Sequence, residues 1–151
     1  MLKNIDPLLT PELLKVLGEM GHGDEIVLAD ANFTAHSLAA GKPVLRLAGA
    51  GMRDACAAVL SLLPLDAMVA QPVAYMRVGG TPDGYRSALQ REVIDDLVRR
   101  GDAADAQCEA TERFAFYERA RGAFAIVQTG ELQPWANFIF KKGVIAAALR
   151  P

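Results

Sequence analysis

Three short apolar runs, Glu25-Ile26-Val27-Leu28-Ala29-Asp30, Val73-Ala74-Tyr75-Met76-Arg77-Val78 and residues 123–129, alternate with segments whose apolar residues recur at helical spacing. Runs this short, with few polar interruptions, suit strands covered on both faces, as in a parallel sheet with helices above and below. The alternation predicts an α/β fold in which residues 1–151 form a single domain with a mainly parallel sheet flanked by helices. A chain of 151 residues can bury a core of that kind.

Local signals set the expected boundaries. Thr10-Pro11-Glu12 starts a helix: threonine caps, proline suits the first helical position and glutamate favours the positive end of the dipole. Leu13, Leu14, Leu17 and Met20 continue it, and Gly21 is expected as the left-handed closing residue. Residues 32–42, rich in small residues without a period, read as a loop carrying His36, and a short strand is expected at 43–47. A helix over 52–63 stops before Pro64, and an amphipathic helix covers 85–100 after the turn residues 79–84. A further helix is expected over 111–121 with Thr111 as its cap and Gly122 just past its end, then strands at 123–129 and 137–141.

Charge narrows the function classes. A formal net charge of -2 and a pI near 5.7 leave no basic footprint for nucleic acid. Cys56 and Cys108 lack the spacing of a zinc ribbon or disulfide framework, so structural roles are expected for both. The start of the chain lacks the basic-then-apolar order of a signal peptide, and no apolar stretch is long enough to span a bilayer. The expectation is a cytoplasmic protein with no membrane partner.

One local pattern carries chemistry. Gly21-His22-Gly23 puts one of two histidines between glycines at a helix-to-strand joint, and the following strand ends at Asp30. An imidazole free of bulky neighbours can face a cleft, and an acid at the strand's end could reach the same cleft; together they make a candidate acid/base site. Neither Gly21-His22-Gly23 nor Gly49-Ala50-Gly51 completes a phosphate-loop or dinucleotide pattern. His22, Asp24, Asp30 and His36 offer nitrogen and oxygen donors, but no spacing makes them converge on a metal.

Longer motifs point to a family. Met1-Leu2-Lys3, Pro11-Glu12-Leu13-Leu14-Lys15-Val16-Leu17 and Glu19-Met20-Gly21-His22-Gly23-Asp24-Glu25-Ile26 resemble the opening of the L-fucose mutarotases. Arg113-Phe114-Ala115-Phe116-Tyr117-Glu118-Arg119-Ala120, Ala123-Phe124-Ala125-Ile126-Val127, Thr129-Gly130-Glu131 and Lys141-Lys142-Gly143-Val144 resemble the family's C-terminal half, and favour the fucose branch over the related D-ribose pyranases. The middle, residues 39–110, carries little of the resemblance.

The resemblance implies an enzyme that exchanges the α and β anomers of a monosaccharide without metal or organic cofactor. It also implies a homo-oligomer, a decameric ring whose sites are completed across subunit contacts. Opening a pyranose needs a proton delivered to the ring oxygen and one removed from the anomeric hydroxyl, work that a histidine can do near neutral pH. By resemblance the catalytic proton donor is His22, and the substrate-binding residues are Asp30, Arg113, Trp135, Ala136 and Asn137. Capping the loop after the strand is the bland role for Asp30, and a solvated ion pair that for Arg113.

Two departures stand out. Trp135-Ala136-Asn137 occupies the place of the family's tyrosine-glycine-asparagine segment, so an indole that can stack on a sugar replaces a phenol that can pass a proton. Asn32 and Thr34 replace the family's histidine and proline in the loop that keeps His36. The missing phenol motivates a competing reading as a sugar-binding or sensing protein without turnover. A scaffold whose ring is the functional object is the third reading. Tyr117 is expected to pack its helix, and the apolar tail 144–149 suits burial at a subunit contact or, equally, against its own subunit.

Overall fold

The structure, a computed structural model, describes residues 2–148; Met1 of the opening motif and Leu149 of the apolar tail lie outside them. The elements run α1 (Pro11–Glu19), β1 (Glu25–Ala29), α2 (Ala35–Leu38), β2 (Val44–Leu47), α3 (Met52–Leu60), β3 (Val73–Met76), α4 (Ala88–Arg100), β4 (Cys108–Thr111), α5 (Arg113–Gly122), β5 (Ala125–Thr129) and β6 (Phe138–Lys141). A 3₁₀ turn, Asp105–Gln107, precedes β4.

The strands form one sheet in the order β2-β5-β1-β6-β3-β4. β2, β5 and β1 are mutually parallel, as are β3 and β4, while β6 runs antiparallel between β1 and β3. The expected mainly parallel α/β sheet is therefore present, with one central strand reversed. Alternate residues of β1 feed two cores: Ile26 and Leu28 join α1, α3 and α4 on one face, and Val27 and Ala29 join α2 and α5 on the other. All four are fully buried, which explains why the strand reads as an unbroken apolar run.

Several expected boundaries are corrected. A one-turn helix, α2, lies within the segment read as a loop, and the strand β4 was not expected. Thr111 ends β4 instead of capping α5; Glu112 is the cap, its carboxylate accepting from the amides of Phe114 (2.8 Å) and Ala115 (3.3 Å). Gly122 closes the last turn of α5 instead of following it. α1 ends at Met20 with a negative φ of -59°, and the left-handed residue in the next turn is Gly23, not Gly21.

Two features tie the elements together. Arg119 of α5 bonds Glu25 through Nε and Nη2 (2.8–3.1 Å) and also bonds Glu109, while Lys141 approaches Glu25 at 2.9 Å. Burial pushes the Glu25 carboxyl upward, but the two cations outweigh it and hold the group below its ordinary value. At the other end of the sheet the turn after β5 lies against the loop after β2, with the Gly130 amide donating to the Ala50 carbonyl at 2.8 Å. A Cβ on Gly130 would overlap the Ala48 carbonyl oxygen, so the close approach requires glycine.

Among the described residues, no helix is long and apolar enough to cross a membrane. Cys56 and Cys108 are both free and buried; burial pushes the Cys108 thiol up to about 11 and the Cys56 thiol higher still, so both behave as core residues.

Candidate functional site

The carboxyl ends of β1, β3, β4 and β5 lie along one edge of the sheet, where ligands of open α/β sheets usually bind. β6 runs the opposite way, so the segment before it reaches the same edge. Its register pairs Leu28 with Phe138, bringing Asn137 beside the exit of β1. There Asp30 and Asn137 clamp each other: the Asp30 amide donates to Asn137 Oδ1 at 2.8 Å, and Asn137 Nδ2 donates to Asp30 Oδ2 at 2.9 Å. Asp30 Oδ1 accepts from the Asn32 amide at 2.9 Å, so one carboxylate both caps the loop and holds the asparagine.

Both side chains are almost fully buried. Burial raises the Asp30 carboxyl above its ordinary value, with Glu131 adding to the rise and the bonds from Asn137 and the backbone opposing it. Asp30 is thus more basic than a surface carboxylate, and its oxygens are held in fixed directions.

A cleft of about 430 Å³ opens on this edge between the exits of β3 and β4 and the segment before β6. Arg77 and Gly79 line one side, Arg113 another, and Trp135 a third. Arg113 is the first residue of α5, and its guanidinium lies over the rings of Phe114 and Tyr117 at 4.7 and 5.8 Å. Phe33 meets Tyr117 edge-on at 5.6 Å, so Tyr117 does pack the helix as expected. The Trp135 ring covers Gly79, where an added Cβ would stand 3.0 Å from Cη2. Ala136, between Trp135 and Asn137, is buried at 1% exposure. Volume and lining suit a small hydroxylated ligand.

His22 lies elsewhere. It precedes β1, whereas Asp30 follows it, and a strand of five residues separates the two by about 17 Å. The expectation that His22 and Asp30 meet in one cleft does not hold within a single chain. Nor do the donors weighed for a metal converge: among the described residues no three His, Cys, Asp or Glu side chains cluster. His36 is exposed on α2.

At the opposite edge His22 has its own partner. Nε2 sits 3.2 Å from Asp66 Oδ2; the Asp66 side chain is 4% exposed and the imidazole 44%. The Met68 amide, donating to Asp66 Oδ1 at 3.0 Å, holds that carboxyl below its ordinary value, helped by His22. The histidine turn is pinned to the residue just after β6 by the Gly23 amide on the Lys142 carbonyl (2.8 Å) and closed by the Gly21 amide on Asp24 Oδ2 (2.6 Å). Asp66 went unnoticed in the sequence, where it is a lone acid 44 residues from its histidine.

Fold and site together define a three-layer α/β protein with an arginine- and aromatic-lined cleft at the carboxyl edge of its sheet and a carboxylate-held histidine at the other edge. Residues 3–145 match the RbsD / FucU transport protein family. The chain belongs to that family. It is 46% identical over 149 residues to the fucose mutarotase of Homo sapiens, covering 96% of this chain and 95% of that one. It is 44% identical over 144 residues to the L-fucose mutarotase of Actinobacillus pleuropneumoniae serotype 5b (strain L20), covering 95% and 97%. The crystal structure of the fucose mutarotase in complex with L-fucose from Streptococcus pneumoniae superposes with a TM-score of 0.83 at 38% identity, covering 96% of this chain and 100% of that one.

Proposed function

We propose that this protein is an isomerase that interconverts the α and β anomers of L-fucose or a related monosaccharide by acid/base ring opening and closure. The observation that carries the reading is that Arg113 and Trp135, from two distant stretches of a chain 46% identical to a fucose mutarotase, line one carboxyl-edge cleft, with the Asp30–Asn137 clamp on the same edge of the sheet.

Each group has a task. Asp30 and Asn137 offer oriented acceptors and a donor to sugar hydroxyls, Arg113 brings a fork of donors, and the Trp135 ring presents a flat apolar face to the sugar's C–H face. In opening, a protonated His22 delivers its proton to the ring oxygen as a water molecule accepts the proton of the anomeric hydroxyl. The C1–O5 bond breaks and leaves an open-chain aldehyde. Rotation about C1–C2 and attack on the other carbonyl face, with the proton transfers reversed, gives the second anomer. No net redox change occurs.

The span of about 17 Å across β1 is the ground for placing His22 in a neighbouring subunit's cleft. The working unit is then a homo-oligomer, by family resemblance a decameric ring, and exposed Val144 and Ile145 offer apolar surface for such contacts. Two unpaired cysteines fit work in the cytoplasm.

The test is fucose anomer exchange measured by NMR saturation transfer. Wild type accelerates exchange, and folded His22→Ala and Arg113→Ala do not. Co-assembled chains of the two variants regain part of the activity, because some clefts combine an intact histidine with an intact arginine. Unchanged exchange in His22→Ala refutes the histidine's role; no recovery on mixing refutes the shared site. A binding protein without turnover is the second reading, favoured by the indole at position 135, and fucose binding without faster exchange in the wild type selects it.

A further inference from the structure

Trp135 holds a backbone conformation that its side chain disfavours. Its φ is +67°, and among the described residues only Asn4 and Ala40 are other non-glycine residues with positive φ. A bulky residue keeps such a geometry only where its surroundings enforce it. The enforcing contact comes from outside the cleft.

Gln90, in the first turn of α4, is fully buried. Its Nε2 donates to the Met76 carbonyl at the exit of β3 (2.8 Å) and to the Trp135 carbonyl (3.0 Å). Its Oε1 accepts from the Ser87 amide at 3.0 Å, while Ser87 Oγ accepts from the Gln90 amide at 3.2 Å. The reversed amide orientation would set oxygen against two carbonyls, so the network admits one arrangement. Two residues on, the Asn137 carbonyl accepts from the Met76 amide at 3.0 Å and its side chain is held by Asp30. The segment 135–137 is thus gripped at both ends, at Trp135 by Gln90 and at Asn137 by Asp30 and Met76.

We propose that Gln90 is a positioning residue for the sugar site: by holding the Trp135 carbonyl it maintains the left-handed turn that lays the indole over Gly79. This rests on the reading of the cleft as a sugar site. Gly79 supplies the vacancy, since a Cβ there would stand 3.0 and 3.1 Å from indole Cη2 and Cζ2. A helix cap, a buried amide and a missing side chain together place the aromatic surface on which the sugar stacks.

Trp135 is the only tryptophan, so intrinsic fluorescence reports on it alone. Gln90→Met keeps the volume and removes the grip. Ser87→Ala removes the other half of the helix cap and leaves Gln90 on Trp135. In folded Gln90→Met the emission shifts, and the half-saturating L-fucose concentration in the exchange assay rises about fivefold, the weight of one buried hydrogen bond. Ser87→Ala loses stability with neither readout moved.

Unmoved emission in folded Gln90→Met overturns the proposal, as does a Ser87→Ala variant that reproduces both changes. A shift in emission with unchanged half-saturation overturns Gln90's bearing on the sugar. If Gln90→Met does not fold, the Gln90 side-chain amide protons of the wild type decide: slow solvent exchange supports the grip, and free exchange overturns it. A wild type inert to fucose defeats the sugar reading instead, while the emission comparison still judges the hold on Trp135.

Discussion

Asn137→Asp alters one atom group at the centre of the clamp and exchanges a donor for an acceptor. The Asp30 amide can still donate to the new side chain, as it does to Asn137 Oδ1 at 2.8 Å. The 2.9 Å contact with Asp30 Oδ2, now a hydrogen bond from Nδ2, becomes one between two carboxyl oxygens. Losing a buried hydrogen bond to a charged acceptor costs about 2–3 kcal/mol. Two carboxylates so close cannot both ionise, so the folded variant retains a shared proton that the unfolded chain releases.

The pH dependence follows from that proton. Burial already raises the Asp30 carboxyl, so its contribution to wild-type stability is fully present below the unfolded carboxylate value and is lost as pH rises through the raised folded value. The variant enlarges this effect, with a slope approaching about 1.4 kcal/mol per pH unit while the shared proton is retained. Urea unfolding at fixed protein concentration, from pH 4.5 to 7.5, is the assay. Near neutrality the variant should be at least about 2–3 kcal/mol less stable than wild type, with a correspondingly lower urea midpoint, and recover much of the difference at the acid end. A deficit that stays constant across this range refutes the shared-proton reasoning, and no deficit refutes the clamp.

Asp66→Asn removes the carboxylate facing His22 and should lower kcat by about 10- to 100-fold through loss of orientation, with the KM for fucose nearly unchanged, as measured by saturation-transfer kinetics. Gly130→Ala drives a methyl group into the Ala48 carbonyl and should cost about 3 kcal/mol, visible as a lower urea midpoint.

The legible parts of this chain were those where one local cause dominates. β1, β3 and β5 are buried throughout most of their length and therefore show as apolar runs. β4, Cys-Glu-Ala-Thr, is a sheet edge with only Cys108 buried, so its pattern is too weak to separate from the helix start that follows. Thr111 looked the better cap by residue type; tertiary pairing with Met76 drew it into the sheet and left the task to Glu112. Among the candidate site residues, Asp30, Arg113 and Asn137 could be found through motifs. Asp66 and Gln90 could not, because each acts on a group 44 or 45 residues away that only the fold brings near. Nearness along the chain misled in the other direction: eight positions that looked like one site are two ends of a strand.

The reversed β6 also bears on how the molecule is assembled. It is the last strand among the described residues and sits between β1 and β3, so the β2-β5-β1 half and the β3-β4 half share no ladder until it arrives. Before then each half presents a bare, apolar inner edge open to any other chain. Pairings of such long sequence separation close slowly, and the exposed interval is when aggregation competes. The strand that carries Asn137 to Asp30 is therefore also the keystone: loss of the final segment should leave two half-sheets without a joint, and a truncated chain should aggregate before it can lose activity in any subtler way.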